Sequence, residues 1–226
     1  QKTAYEISLG LVGSEMCIRD SLRSEMLSDE GLFYASQDAD SEGEEGKYYT
    51  WQLSELKQLM DPAEMALLTG ILNVSMEGNF DGGNILHFAI KHFDDGSLFQ
   101  DEAAVKIRKK LAAQRANRIP PFKDETAITF WNCLVVTSLC ENYMVTGNQE
   151  LLKIAKQNMN VYLNYICREG GIPRSIRGGQ TVGKGYLEDH AALVNALISL
   201  HEATLDIRWL EEALVRSDLM ISTFWD

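Results

Sequence analysis

Four cysteines, Cys17, Cys133, Cys140 and Cys167, are all the thiols in this 226-residue chain, and no two of them form a CxxC pair. Neither a zinc site of paired Cys and His spacing nor a dithiol redox motif is encoded. Cys133 and Cys140, seven apart in an apolar helical run, read as small core residues. A reducing, cytoplasmic setting fits that usage. No run of 18 apolar residues is present, so no membrane-spanning helix is expected. Positive charge is also in short supply. Lys+Arg number 21 against 33 Asp+Glu, and the net charge of -12 repels phosphate backbones and anionic membrane surfaces. No nucleic-acid or membrane partner is expected on that balance. The one basic run, Lys106, Arg108, Lys109, Lys110, Arg115 and Arg118, has helical spacing between alanines and reads as a solvated helix face.

What is present is ordinary globular composition, 45% hydrophobic and 24% charged. The stretch from Gly10 to Ser21 resembles the translation of a transposon-end adaptor, and residues 1–21 are read as an adaptor-derived leader outside the fold. From Gly31 the apolar Leu32-Phe33-Tyr34, the acidic Asp38 to Gly46 and the aromatic Lys47 to Trp51 read as strand, loop and strand. A short helix follows over Gln52 to Met60, and Asp61-Pro62 offers an N-cap and a proline at the first position of the next, with Gly70 as its stop. The residues from Val74 to Phe88 carry turn chemistry.

Beyond Gln100 apolar residues recur three and four apart, and the pattern predicts helices over Asp101 to Arg118, Glu125 to Thr146, Gln149 to Arg168, Tyr186 to Thr204 and Ile207 to Phe224. The connectors Gly147-Asn148 and Leu205-Asp206 are short enough to force antiparallel neighbours, so the last four helices make two hairpins. These hairpins match at an offset of 58 residues: Val136 with Val194, Leu139 with Leu197, Thr146 with Thr204, Leu152 with Leu210, Ala155 with Ala213. Such a repeat predicts a helical solenoid or a closed ring of hairpins. A ring of six units would need about 348 residues, so the chain is expected to hold an incomplete ring over 22–226.

Several segments together resemble one family: Phe33 through Trp51, Gly78-Asn79-Phe80, Asn84-Ile85-Leu86, Lys123-Asp124 with Trp131-Asn132, and Leu187-Glu188-Asp189. They are similar to the bacterial relatives of the spermatogenesis-associated thioredoxin-domain proteins. That resemblance implies a mainly all-α fold, an (α/α)6 toroid of the six-hairpin glycosidase type with a short β-containing insertion near the N-terminus. It also implies a thioredoxin-like domain upstream in the full-length protein, and a barrel related in fold to sugar epimerases and glycoside hydrolases. Two positions depart from the family pattern, Cys133 where glycine is usual and His190 where tyrosine is usual.

The 58-residue offset puts Trp131-Asn132 in register with Asp189-His190 near two helix starts, where orphan N–H groups favour an anionic or hydroxyl-rich ligand. Trp131 is a candidate for stacking on a sugar face, Asn132 for bonding its hydroxyls, and Glu188, Asp189 or His190 for moving a proton. Glu188 and Tyr186 also count among the substrate-binding candidates. The competing reading has Trp131 filling core, Asn132 satisfying backbone and the acids favouring the helix start. Of the four histidines, His87, His92, His190 and His201, only His190 falls at this place. The acidic stretch is a second candidate, with Asp38 and Asp40 as a general acid/base pair or as part of a solvated turn. Its fit to a calcium loop fails at the twelfth position, Tyr49, and no metal or cofactor is expected. The expected function is carbohydrate-related, sugar binding or an epimerase- or glycosidase-like transformation. The alternative is a non-catalytic scaffold for the upstream thioredoxin-like domain.

Overall fold

A computed structural model of the chain describes residues 22–72, 74–87 and 102–225. The adaptor-like leader, Cys17 and His92 lie outside the described residues. The described chain forms two compact units, one from 37–122 and one from 22–36 with 123–225. Two-residue strands, β1 (Ser36–Gln37) and β4 (Lys123–Asp124), stand in sequence where the chain passes between them.

In the first unit the acidic stretch is itself a hairpin rather than a loop between strands. β2 (Asp40–Ser41) pairs antiparallel with β3 (Glu44–Glu45), Asp40 opposite Glu45 and Ser41 opposite Glu44. Glu42 and Gly43 turn it with φ of 54° and 79°, the left-handed pair that a two-residue hairpin requires. The flanking aromatic runs are not strands. They make isolated bridges only, Leu27 with Phe33 and Trp51 with Asn84.

Helices α1 (Leu53–Leu59), α2 (Pro62–Ile71) and α3 (Glu102–Arg115) complete this unit. The Asp61 carboxylate accepts from the Glu64 N–H at 2.8 Å while Glu64 accepts from the Asp61 N–H at 3.1 Å, the capping box that Asp61-Pro62 announces. Gly70 does not stop α2. The helix runs through it to Ile71 and ends where Leu72 turns extended, since one internal glycine costs a helix only about 1 kcal/mol. Trp51, Leu56, Met60, Leu68, Ile107 and Leu111 form the core.

Of the six basic residues, Lys106, Arg108 and Lys109 are exposed as expected, while Lys110, Arg115 and Arg118 are half-buried and tie elements of this unit together. Lys106 and Lys110 reach Glu64 at 3.1 and 2.6 Å, and hydrogen bonding led by Lys110 draws that carboxyl down to about 2. Arg115 lies over the Tyr48 and Tyr49 rings. Arg118 grips Glu55 with one nitrogen and the carbonyls of Lys47, Tyr48 and Thr50 with the other, its guanidinium 4.1 Å from the centre of the Trp51 ring.

The second unit is two helical hairpins joined by a small sheet. Helix α4 (Thr129–Thr146) turns at Gly147-Asn148 into α5 (Gln149–Glu169). Helix α6 (Leu187–Thr204) turns at Leu205-Asp206 into α7 (Ile207–Phe224). α4 and α6 begin 58 residues apart, end 58 apart and pack against each other, while each also packs against its own partner. Asn148 and Asp206, again 58 apart, cap α5 and α7 by accepting the backbone N–H two residues on.

α4 begins at Thr129, not at Glu125. Ala127 and Ile128 are extended because they form β5 (Ala127–Ile128), paired with β6 (Pro173–Arg177), which pairs in turn with β7 (Gln180–Lys184). The Thr129 hydroxyl donates to the Pro173 carbonyl at 2.6 Å and ties the helix start to that sheet. Val136, Cys140, Ala155, Met159, Tyr162, Leu193, Leu197, Leu200 and Trp209 fill the core between the helices.

Candidate functional site

The first turns of α4 and α6 stand side by side. Trp131 and Asp189 occupy the same helical position, the third residue of each, as the repeat predicts. The Phe130 N–H at the head of α4 donates to Asp189 Oδ1 across the gap at 3.1 Å.

Asp189 is fully buried and saturated. Its two oxygens also accept from the Tyr186 N–H at 2.8 Å and from Arg174 Nη1 at 2.8 and 2.9 Å. The same nitrogen of Arg174 reaches Glu188 at 2.7 Å, and the guanidinium lies 5.0 Å from the centre of the Tyr186 ring. Hydrogen bonding to Asp189, helped by Glu188, raises the guanidinium above its ordinary range, so Arg174 stays a cation. Asp189 thus binds together the start of α6, the start of α4 and strand β6. Charge-assisted bonds of this kind are about twice as strong as neutral ones.

Asn132 is buried, and all four of its hydrogen-bonding positions meet protein. Oδ1 accepts from the Phe33 N–H at 2.8 Å and from Asn158 at 2.9 Å, and Nδ2 donates to the Phe33 and Ile128 carbonyls at 2.9 and 3.0 Å. An amide has two donors and two lone pairs, so none remains for a ligand. Asn158 completes the clamp by donating to the Gly31 carbonyl at 2.8 Å. Gly31 has a φ of 100°, and a Cβ there would fall 2.8 Å from Gln157, so this approach is open to glycine only.

His190 faces inward. Its ring packs edge-on against Phe224 of α7 at 5.0 Å, and Nδ1 is buried without a hydrogen bond. Burial lowers its pKa, against the opposing pull of the Asp189 charge, and the ring stays neutral at neutral pH. The exposed groups are the other three. Trp131 is 48% exposed and Tyr186 62%, and the Glu188 side chain is 51% exposed.

Asp38 and Asp40 lie in the first unit, both exposed. A polar cavity of about 620 Å³ in that unit is lined by their neighbours Ser41, Glu42, Glu44 and Glu45, with Tyr48 and Arg118. An apolar groove of about 660 Å³ in the second unit runs along α4 and α5, past Leu134, Leu139, Val145, Leu151 and Ile154. Neither is lined by Trp131, Tyr186 or Glu188. Among the described residues no group of three or more His, Cys, Asp or Glu side chains is placed to hold a metal ion. Burial pushes the Cys133 thiol far up and that of Cys140 to about 12, so both stay neutral and inert.

Arg174 is the residue that sequence reasoning missed, although its signal was legible. Gly178-Gly179 separates two short extended runs, a two-residue hairpin mark, and their φ of 56° and 74° are those of such a turn.

No protein-family model matches the chain. It is 29% identical to spermatogenesis-associated protein 20 of Homo sapiens and 27% identical to that of Mus musculus, over 87% of this chain and 30% of each relative. It is also 23% identical to an uncharacterised protein of Caenorhabditis elegans, over 87% of this chain and 32% of that one. The chain spans about a third of the length of these relatives. The likenesses support the family to which the sequence motifs point.

Proposed function

We propose that the protein is carbohydrate-related and binds or transforms a sugar at the face where α4 and α6 begin. The observation that supports this is that two exposed aromatic rings, Trp131 and Tyr186, and an open carboxylate, Glu188, stand at the starts of α4 and α6, which buried Asp189 ties together with half-buried Arg174. Aromatic faces take up the C–H surface of a pyranose ring, and a carboxylate beside them accepts its hydroxyls. Asp189 and Asn132 build the face in this reading, and Glu188 meets the ligand. A catalytic version would use His190 beside Asp189 as its acid or base, and Asp38 with Asp40 is a separate candidate pair within the first unit. The hairpin repeat fits an incomplete (α/α)6 toroid, which in the full-length cytoplasmic protein follows a thioredoxin-like domain.

A thermal-shift screen against neutral mono- and oligosaccharides tests the reading, since a ligand that binds only the folded state raises its stability. Binding is expected to raise Tm in the wild type and to disappear in Trp131→Ala. A flat response to every sugar at high concentration refutes it.

One observation favours the scaffold reading as a second possibility. α7 exposes Ile207, Leu214 and Ile221 at seven-residue spacing, each at least half exposed, where the matching α5 positions are Gln149, Lys156 and Leu163. Sedimentation of the chain with a separately expressed thioredoxin-like domain tests it. Co-migration with no sugar response would select the scaffold.

A further inference from the structure

We infer that the apolar groove along α4 and α5 is the seat of a second copy of this chain, which lays its α6 on α4 and so repeats between copies the contact these helices make within one. The inference is independent of the sugar reading.

Within the chain α6 turns one side to α4. Asp189 accepts from the Phe130 N–H at the head of α4, and its charge acts on the Cys133 thiol. Ala192 and Ala196 follow three and seven residues on, on the same side of α6, and are 6% and 0% exposed. The side of α4 that meets them carries Cys133, Val136 and Cys140 at the same spacing, all sealed in the same core.

The 58-residue repeat makes each of these sides recur once, uncovered among the described residues. The α4 positions that match Ala192 and Ala196 are Leu134, 48% exposed, and Ser138, also exposed. Both line the groove of about 660 Å³. So do Val135, Leu139 and Asn142, half-buried here, whose counterparts Leu193, Leu197 and Leu200 are fully buried. The groove is therefore the place on the first hairpin that α4 fills on the second. The α6 positions that match Cys133, Val136 and Cys140 are Ala191 and Val194, half-buried, and Ile198, exposed. One open side is the complement of the other, and joining them removes the apolar surface of both from water. Because the two sides differ, each added copy leaves one of each free, and association continues past the dimer. Trp131 matches Asp189, which the internal contact buries, so a second chain also covers Trp131 and excludes a sugar from it.

The test is sedimentation equilibrium of the 226-residue chain over a range of concentrations, beside Leu134→Glu and Ile198→Glu. Both sites are exposed in the single chain, so each variant is expected to keep the wild-type circular-dichroism spectrum. The wild-type mass should rise with concentration above the 25.4 kDa of one chain and pass that of the dimer. Each variant alone should associate at least about tenfold more weakly, because it places a carboxylate without a partner in an apolar contact. An equimolar mixture of the two should form a dimer and stop there, since Leu134→Glu keeps its α6 side intact and Ile198→Glu keeps its groove. A wild type that stays at the mass of one chain overturns the inference and leaves the sugar reading standing. Association that both variants retain overturns it too, because the contact then lies on another surface, such as the open stripe of α7. A mixture that forms no dimer refutes the head-to-tail pairing.

Discussion

Asn132→Ala separates framework from ligand face, because its neighbour Trp131 sits one residue away with the opposite exposure. Truncation removes four hydrogen bonds and leaves the buried Phe33 N–H and carbonyl without their partner. Each orphaned buried group costs about 1–3 kcal/mol, so the pair costs roughly 4 kcal/mol. That is a large share of a total stability of about 5–15 kcal/mol. At about 2–4 °C per kcal/mol for a chain of this size, Tm should fall by about 8–16 °C. Trp131→Ala, at a half-exposed site, should move Tm by less than half as much and abolish sugar binding instead. Circular-dichroism melts with a parallel ligand titration read both effects. An Asn132→Ala protein that melts within about 2 °C of wild type would refute the assignment of Asn132 to the framework.

Asp189→Asn should behave as a stability variant: Arg174 keeps Glu188 as a partner, so the loss is that of the charge-assisted bonds to the Phe130 and Tyr186 N–H groups, about 1–3 kcal/mol; urea midpoints should drop, and an unchanged midpoint would contradict the framework role. Leu205 stands where the first hairpin has Gly147, both left-handed, and it is 81% exposed. Leu205→Gly should relieve a backbone cost of about 1–2 kcal/mol against glycine's entropy of about 0.5–1, a small net rise in Tm, and a fall would contradict it. Burial lowers the His190 pKa below its ordinary 6.5, so the unfolded chain takes up a proton that the folded one resists. Stability should be complete above about pH 6.5 and decline as pH falls toward and through the lowered folded value, and His190→Gln should flatten that decline. Equal slopes for the two proteins would exclude His190 as its source.

The repeat was legible because helix periodicity and connector length are local properties. Val136 with Val194 and Gly147-Asn148 with Leu205-Asp206 set the register of both hairpins from the sequence alone. The sheet was less legible. Ala127-Ile128 is too short to show alternation and is held extended by partners 49 and 47 residues away, Ile176 and Ser175. The roles of adjacent residues were the least legible. Trp131 and Asn132 share one helix turn, yet one faces solvent and the other meets a backbone segment 99 residues earlier. The same holds for Glu188 and Asp189, which Arg174 sorts into an open carboxylate and a sealed one. Such sorting depends on long-range packing that helical spacing does not encode.

Tryptophan emission is the most direct measurement of the sugar face. Trp51 and Trp209 are buried at 3% and 0% exposure, so in a Trp225→Phe background Trp131 is the one strongly exposed indole. A stacking sugar should shift its emission to the blue and protect it from acrylamide saturably, and Trp131→Phe should erase the response. Calorimetric sugar binding that leaves the Trp131 signal unchanged would contradict the account.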